Sequence, residues 1–180
     1  MKLLILDRDG VINEDSDAFV KSVDEWIPIA GSIEAMAKLS QAGYTLAIAT
    51  NQSGIGRGFY SVETLDAMHT KLRTLLAEHG GKVDYIAYCP HQSADQCACR
   101  KPKPGLLQEI AAHLGADLTQ AVMVGDSLRD WQAADAAGAA YVQVRTGKGE
   151  RTLAEGKLPA AVPVFDNLSC YIDTLLGKSL

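Results

Sequence analysis

Five short apolar runs punctuate the chain, at 2–6, 44–49, 83–88, 121–124 and 140–144, and the segments between them carry apolar residues at helical spacing. That alternation constrains the fold more than any other feature. Parallel neighbours need a crossover connection, usually a helix, so strand and helix in turn imply an α/β fold built on a doubly wound parallel sheet with right-handed crossovers. Runs that are apolar at nearly every position suit strands buried on both faces. Ser32 reads as the cap of a helix bearing Ile33, Met36, Ala37 and Leu39, closed by Gly43. Ser61 reads as the cap of a longer helix to about His79, with Leu65, Met68, Leu72, Leu75 and Leu76 as its stripe. Further helices are expected at 106–114, 128–137 and 168–176, and a short last strand at 162–165. In this reading His69, His79 and His113 lie on the surface, Gly147 and Gly149 form a mobile turn, and Cys170 is a small core residue.

With 180 residues the chain is expected to be a single domain, 1–180, without a large cap domain. The net charge of -5 argues against nucleic acid as a partner. No apolar run approaches the roughly 18 residues of a membrane helix, and no signal segment precedes the first strand, so no membrane association and a cytoplasmic location are expected.

In an open parallel sheet, ligands gather at the C-terminal ends of the strands. The first run ends in Asp7-Arg8-Asp9-Gly10. Carboxylates at i and i+2 can share a divalent cation or move protons, although either Asp could instead make a turn or a cap. The second run ends in Thr50-Asn51-Gln52-Ser53-Gly54-Ile55-Gly56-Arg57-Gly58, whose N–H groups and side chains could surround an oxyanion. The fourth ends in Gly125-Asp126-Ser127-Leu128-Arg129-Asp130. The fold would bring Asp7, Asp9, Thr50, Lys101 and Asp126 to one edge. That set suits phosphoryl transfer: Mg²⁺ held by acids, Thr50 and Lys101 on the phosphoryl oxygens, Asp7 attacking in line, and Asp9 as acid and then base. The polar stretch from Glu14 to Gly31 is too long for a tight turn, and reads either as a solvated connector or as a substrate-contacting loop.

The third run leads into Cys89-Pro90-His91 and then Cys97-Ala98-Cys99. Three thiolates and one imidazole complete a tetrahedral zinc set with no open position, the mark of a structural site, here a clasp over 89–99. Free thiols beside an unrelated histidine are the other reading. Arg100-Lys101-Pro102-Lys103-Pro104 follows at once, a basic turn stiffened by prolines.

In order, Asp7-Arg8-Asp9-Gly10-Val11-Ile12, Thr50-Asn51, Lys101 and Gly125-Asp126-Ser127-Leu128-Arg129-Asp130 resemble the four motifs of the haloacid dehalogenase-like phosphatases. The resemblance implies Asp7 as nucleophile, Asp9 as acid/base, and Mg²⁺ held by Asp7, Asp126 and the Asp9 main-chain carbonyl. Asp130 would stand behind them, orienting the cationic side chain or metal waters. Together with Asn13, the glycine-rich loop, the clasp and Arg100-Lys101-Pro102, the chain most resembles the D-glycero-D-manno-heptose 1,7-bisphosphate 7-phosphatase subfamily. This implies a phosphorylated sugar as partner, in the making of heptose precursors for lipopolysaccharide or surface glycans. Asp15, Ser16, Asp17 and Ala18 would lie in a specificity loop, and Thr50, Asn51, Gln52, Ser53, Arg100, Lys101 and Ser127 would also contact substrate. Related members can carry Lys where this chain has Ser127. Histidinol-phosphate phosphatases share the Asp motifs and a short zinc loop, so histidinol phosphate is the alternative substrate. A zinc-stabilised, phosphate-accepting switch domain is the alternative of another class, and Asp9 argues against it. A monomer is expected.

Overall fold

The computed structural model describes residues 1–177. Six parallel strands form one sheet: β1 (Leu3–Leu6), β2 (Thr45–Asn51), β3 (Tyr85–Cys89), β4 (Val122–Gly125), β5 (Ala140–Val144) and β6 (Val164–Phe165). Their order is β3-β2-β1-β4-β5-β6. Leu4 pairs with Leu46 on one side and Val122 on the other, so β1 is central. The chain winds outward from it in both directions, and the β1/β4 boundary is the topological switch point.

The helices are α1 (Ser32–Gln41), α2 (Ser53–Gly56), α3 (Val62–Glu78), α4 (Gly105–Leu114), α5 (Leu128–Ala137), α6 (Gly149–Glu155) and α7 (Leu168–Gly177). Because side chains alternate along a strand, β1 feeds both cores. Leu4 and Leu6 pack with Met36, Leu39, Met68, Leu72 and Ile172 of α1, α3 and α7. Leu3 and Ile5 pack with Leu106, Leu107, Ile110 and Ala133 of α4 and α5. Ser61 caps α3 by accepting from the Thr64 N–H, as its position before the apolar stripe predicts.

Four expectations are corrected. Ser32 is not the cap of α1; Gly31 holds that place at φ 85°, and the Ser32 hydroxyl donates instead to the Val11 carbonyl. His69 is buried, because the stripe of α3 is wider than its apolar residues and His69 shares the face of Met68 and Leu72. Cys170 is exposed, on the side of α7 away from Tyr171 and Ile172. The segment at 147–149 is no mobile turn: it leads into α6 and packs against the site described next.

The stretch from Glu14 to Gly31 is irregular but anchored. Asn13 bridges Pro28, Trp26 is fully buried, and the Lys71 ammonium donates to the Val23 and Trp26 carbonyls. Asp15 pairs with Lys148 at 2.9 Å, which ties this loop to the start of α6.

Candidate active site

The C-terminal edge of the sheet opens into a cleft of about 290 Å³. Asp7, Asp9, Asn51, Gln52, Ser53, Arg100, Lys101, Asp126, Ser127 and Asp130 line it, joined by Asp15, Ser16 and Asp17 from the loop. Two expected residues stay out of the lining. Thr50 is fully buried behind Gln52, whose amide donates to its hydroxyl at 2.9 Å. Ala18 turns its carbonyl to the Lys21 ammonium, outside the cleft. Phe19, Val20, Arg57, Tyr60, Arg129 and Lys148 line it without having been singled out. Arg57 and Arg129 belong to the strand-end runs at 50–58 and 125–130, and Phe19 and Val20 to the 14–31 stretch, whereas Tyr60 and Lys148 carry no sequence signal of their own.

Asp7 directly follows β1, and its N–H continues the β1/β4 pairing by donating to the Val124 carbonyl at 2.9 Å. The Lys101 ammonium lies buried between Asp7 (2.9 Å) and Asp130 (2.7 Å) and also donates to the Ala49 carbonyl. Asn51 fixes Lys101 through its backbone: the Lys101 N–H donates to Oδ1 at 3.0 Å, and Nδ2 donates to the Lys101 carbonyl at 3.1 Å. Asp130 accepts at its other oxygen from the Asp126 and Ser127 N–H groups and from the Ser127 hydroxyl. Asp126 accepts from the Lys148 N–H at 2.8 Å.

Oxygens of Asp7, Asp126 and Asp130 lie within 4.8 Å of one another. Three buried carboxylates against the one ammonium of Lys101 leave an excess of two negative charges. That imbalance is visible in the proton affinities of Asp7 and Asp126, whereas the charge and hydrogen bond of Lys101 and the Ser127 donors outweigh burial and hold Asp130 below the ordinary value. Burial and the Asp130 charge push Asp7 up to about 7 despite Lys101. Burial and the charges of Asp7 and Asp130 hold Asp126 well above the usual carboxylate range. A hard dication at an all-oxygen site removes this excess, so the residues fit Mg²⁺. Gly10 and Gly147 make the room: a Cβ on either would fall on the Asp126 carboxylate, and both have φ in the left-handed region.

Asp9 is built differently. Arg8 Nη2 and Asn13 Nδ2 each donate to Oδ1 at 2.9 Å, and Gln52 Nε2 donates to Oδ2 at 2.8 Å. Burial would raise its proton affinity, but the Arg8 charge and these donors outweigh it and hold Asp9 below the ordinary value. Arg8 itself is fully buried, and its Nη1 meets His69 Nε2 at 3.3 Å. Since a guanidinium only donates, His69 must accept there as a neutral imidazole. Burial, followed by the Arg8 charge, pushes the His69 pKa down to about 3. The sequence pattern missed this pair because their contact spans 61 positions.

The four clasp residues Cys89, His91, Cys97 and Cys99 also converge within 4.8 Å. His91 Nδ1 lies 3.5 and 3.4 Å from the sulfurs of Cys89 and Cys99, and Cys89 lies 3.6 Å from Cys97. These match the roughly 3.4–3.8 Å edges of a tetrahedron drawn with ordinary zinc–ligand bonds, while the 3.0 Å Cys89–Cys99 edge is tighter. The donor set fits structural zinc. The clasp reaches the cleft directly, since the Arg100 N–H donates to Cys97 Sγ and Arg100 Nη1 to the His91 carbonyl.

Comparison with known proteins places this architecture. The HAD-hydrolase-like family matches residues 98–170. The D-glycero-beta-D-manno-heptose-1,7-bisphosphate 7-phosphatase of Pseudomonas putida is 56% identical, over 98% of this chain and 100% of its own length. The enzyme of that name from Neisseria meningitidis is 55% identical, over 99% of this chain and 97% of its own. The crystal structure of D,D-heptose 1,7-bisphosphate phosphatase from B. bronchiseptica, complexed with magnesium and phosphate, superposes with a TM-score of 0.96 at 53% identity, covering 99% of both chains.

Proposed function

The chain belongs to the heptose-bisphosphate phosphatases of the haloacid dehalogenase-like hydrolases, and on that premise we propose that it removes the 7-phosphate of D-glycero-β-D-manno-heptose 1,7-bisphosphate. It is a phosphoric monoester hydrolase. The observation that carries the substrate reading is the cleft at the β1/β4 switch point, where Asp7, Asp9, Lys101 and Asp126 meet on a fold that superposes over 99% of its length on a heptose-bisphosphate phosphatase. The β anomer is the one that the relatives' names specify.

Asp7 attacks phosphorus, and the bond to the leaving oxygen breaks as an aspartyl phosphate forms. Lys101, shared between Asp7 and Asp130, holds the nucleophile's carboxylate in place and offers positive charge to the phosphoryl oxygens. Asp9 gives its proton to the leaving sugar oxygen and then takes one from the water that cleaves the aspartyl phosphate. The Arg8, Asn13 and Gln52 donors keep it ionised between turnovers, and an arriving phosphate dianion raises its proton affinity. Asp7, Asp126 and the Asp9 carbonyl would hold Mg²⁺, which supplies charge neutralisation for the transferred phosphoryl group. Asp130 aligns Lys101 and the turn carrying Asp126, and Cys89, His91, Cys97 and Cys99 would hold zinc and set Arg100. Thr50 acts from behind, by orienting Gln52.

No helix among the described residues is long and apolar enough to cross a membrane. A cytoplasmic, monomeric enzyme of a single domain is the reading we carry from the sequence, and sedimentation tests the monomer. The test of function is phosphate release with Mg²⁺ present. Heptose 1,7-bisphosphate should show a higher kcat/KM than histidinol phosphate, and Asp7→Asn should abolish turnover with the fold intact. A preference for histidinol phosphate would overturn the substrate, and retained turnover would overturn the nucleophile.

A further inference from the structure

We propose that Tyr60 is a positioning residue for proton transfer: by donating to Gln52 it aims the one free lone pair of Asp9 Oδ2, the atom that delivers the proton to the leaving oxygen. The inference rests on the acid/base reading of Asp9 given above.

The two oxygens of Asp9 are not equivalent. An ionised carboxylate accepts at about four lone-pair sites, two on each oxygen. On Oδ1 both are taken, by Arg8 Nη2 and Asn13 Nδ2 at 2.9 Å each. Among the described residues Oδ2 accepts from Gln52 Nε2 alone, at 2.8 Å. The proton that Asp9 carries therefore sits on Oδ2. As the leaving oxygen departs, this O–H bond breaks, the leaving oxygen takes the proton, and Asp9 is left ionised. The direction of the Gln52 bond decides where that proton points.

A glutamine amide has two nearly isosteric orientations, and its partners choose between them. Here the Tyr60 hydroxyl donates to Gln52 Oε1, while Nε2 donates to Asp9 and to Thr50 Oγ1. With Asp9 ionised, its charge alone keeps the NH2 end toward it. Once Asp9 is protonated that preference weakens, and a flipped amide would present Oε1 to the Asp9 proton and hold it back from the leaving oxygen. Tyr60 opposes the flip, because its O–H satisfies Oε1 on the far side. Burial, with the Asp9 charge and against that of Arg8, pushes the Tyr60 phenol up to about 12, so it remains a donor at neutral pH. Gln52 is 4% exposed and stands at the N-cap of α2 without spending its side chain on a cap.

The glycine-rich loop makes room for this contact. The Tyr60 ring lies on Gly54, where a Cβ would drive into its Cε1. Gly54 is not among the glycines with left-handed backbone, so the ring, and not the turn, explains the missing side chain. The Phe59 N–H closes the loop on the Gly54 carbonyl at 2.8 Å and returns Tyr60 to Gln52.

The experiment reads kcat/KM, which reports the barrier up to departure of the leaving group, for wild type, Tyr60→Phe and Asp9→Asn on p-nitrophenyl and p-methoxyphenyl phosphate. The two esters differ in how much their leaving oxygen needs a proton, and neither carries a sugar. Asp9→Asn should lose far more on the p-methoxyphenyl ester; an equal loss on both would overturn the acid reading and this inference with it. Tyr60→Phe keeps the ring on Gly54. It should lose about three- to tenfold on the p-methoxyphenyl ester, the worth of a hydrogen bond, and stay near wild type on the p-nitrophenyl ester, which also shows that the fold survives. An equal loss on both, or none, would overturn the role of Tyr60 and leave that of Asp9 standing. A double-mutant cycle with Gln52→Ala on heptose 1,7-bisphosphate gives a second readout. Acting through Gln52, Tyr60→Phe should cost little once the amide is gone. A full, additive loss would place the hydroxyl on the sugar instead and overturn the inference. If wild type hydrolyses the esters but not heptose bisphosphate, the substrate reading falls and the esters decide the role of Tyr60.

Discussion

His69→Gln isolates the buried support behind Asp9. His69 is 7% exposed, and the fold lowers its pKa from 6.5 to about 3, first by burial and then by the Arg8 charge, with Arg73 adding to the shift and Asp9 opposing it. The unfolded chain therefore binds a proton that the folded protein refuses. The stability that this represents is present above pH 6.5 and drains away as pH falls toward 3, at about 1.4 kcal/mol per pH unit. Between pH 8 and pH 5 the loss integrates to about 2 kcal/mol, with a ceiling of about 5 kcal/mol below pH 3. Gln offers Arg8 an acceptor that does not titrate, so at pH 8 the variant should stand within about 1 kcal/mol of wild type. Urea unfolding followed by fluorescence of the buried Trp26, at pH 8, 6.5 and 5 with fixed metal concentrations, measures both curves. Every other titrating group is common to the two proteins, so the gap between the curves should close or invert by about 2 kcal/mol at pH 5. Parallel curves would refute the neutral, Arg8-accepting His69.

Gly147→Ala should lower activity by about a hundredfold, because the added Cβ drives into the Asp126 carboxylate and the Gly10 backbone at a φ of 59°. Activity near wild type would show that the segment yields. Asn51→Ala removes both hydrogen bonds that hold the Lys101 backbone and should cost about 1–3 kcal/mol of stability, together with a fall in kcat larger than the change in KM; denaturation and steady-state kinetics read the two effects. One equivalent of zinc should copurify, and stripping it should speed hydrogen exchange over 89–103 and lower activity through Arg100 and Lys101. Cys97→Ser that keeps both metal and activity would count against the clasp.

Much of the site is written locally. The βα alternation determines the doubly wound sheet, since each apolar run can be satisfied only by burial on both faces, and motif spacing puts Asp7, Thr50 and Asp126 at or just beyond strand ends. The cysteine spacing is local in the same sense, with all four ligands within eleven positions. Tertiary structure decided what depends on contacts between distant segments. It set the order of strands that makes β1 and β4 neighbours, so that Lys101 falls between Asp7 and Asp130. It buried His69 against Arg8, turned Thr50 behind Gln52, and folded 147–149 onto Asp126. Charge balance is the clearest case. The sequence shows that arginines are present at 57, 100 and 129. Only the packed chain shows that they share a cleft, because electrostatic partnership depends on distance in space, which sequence separation does not determine.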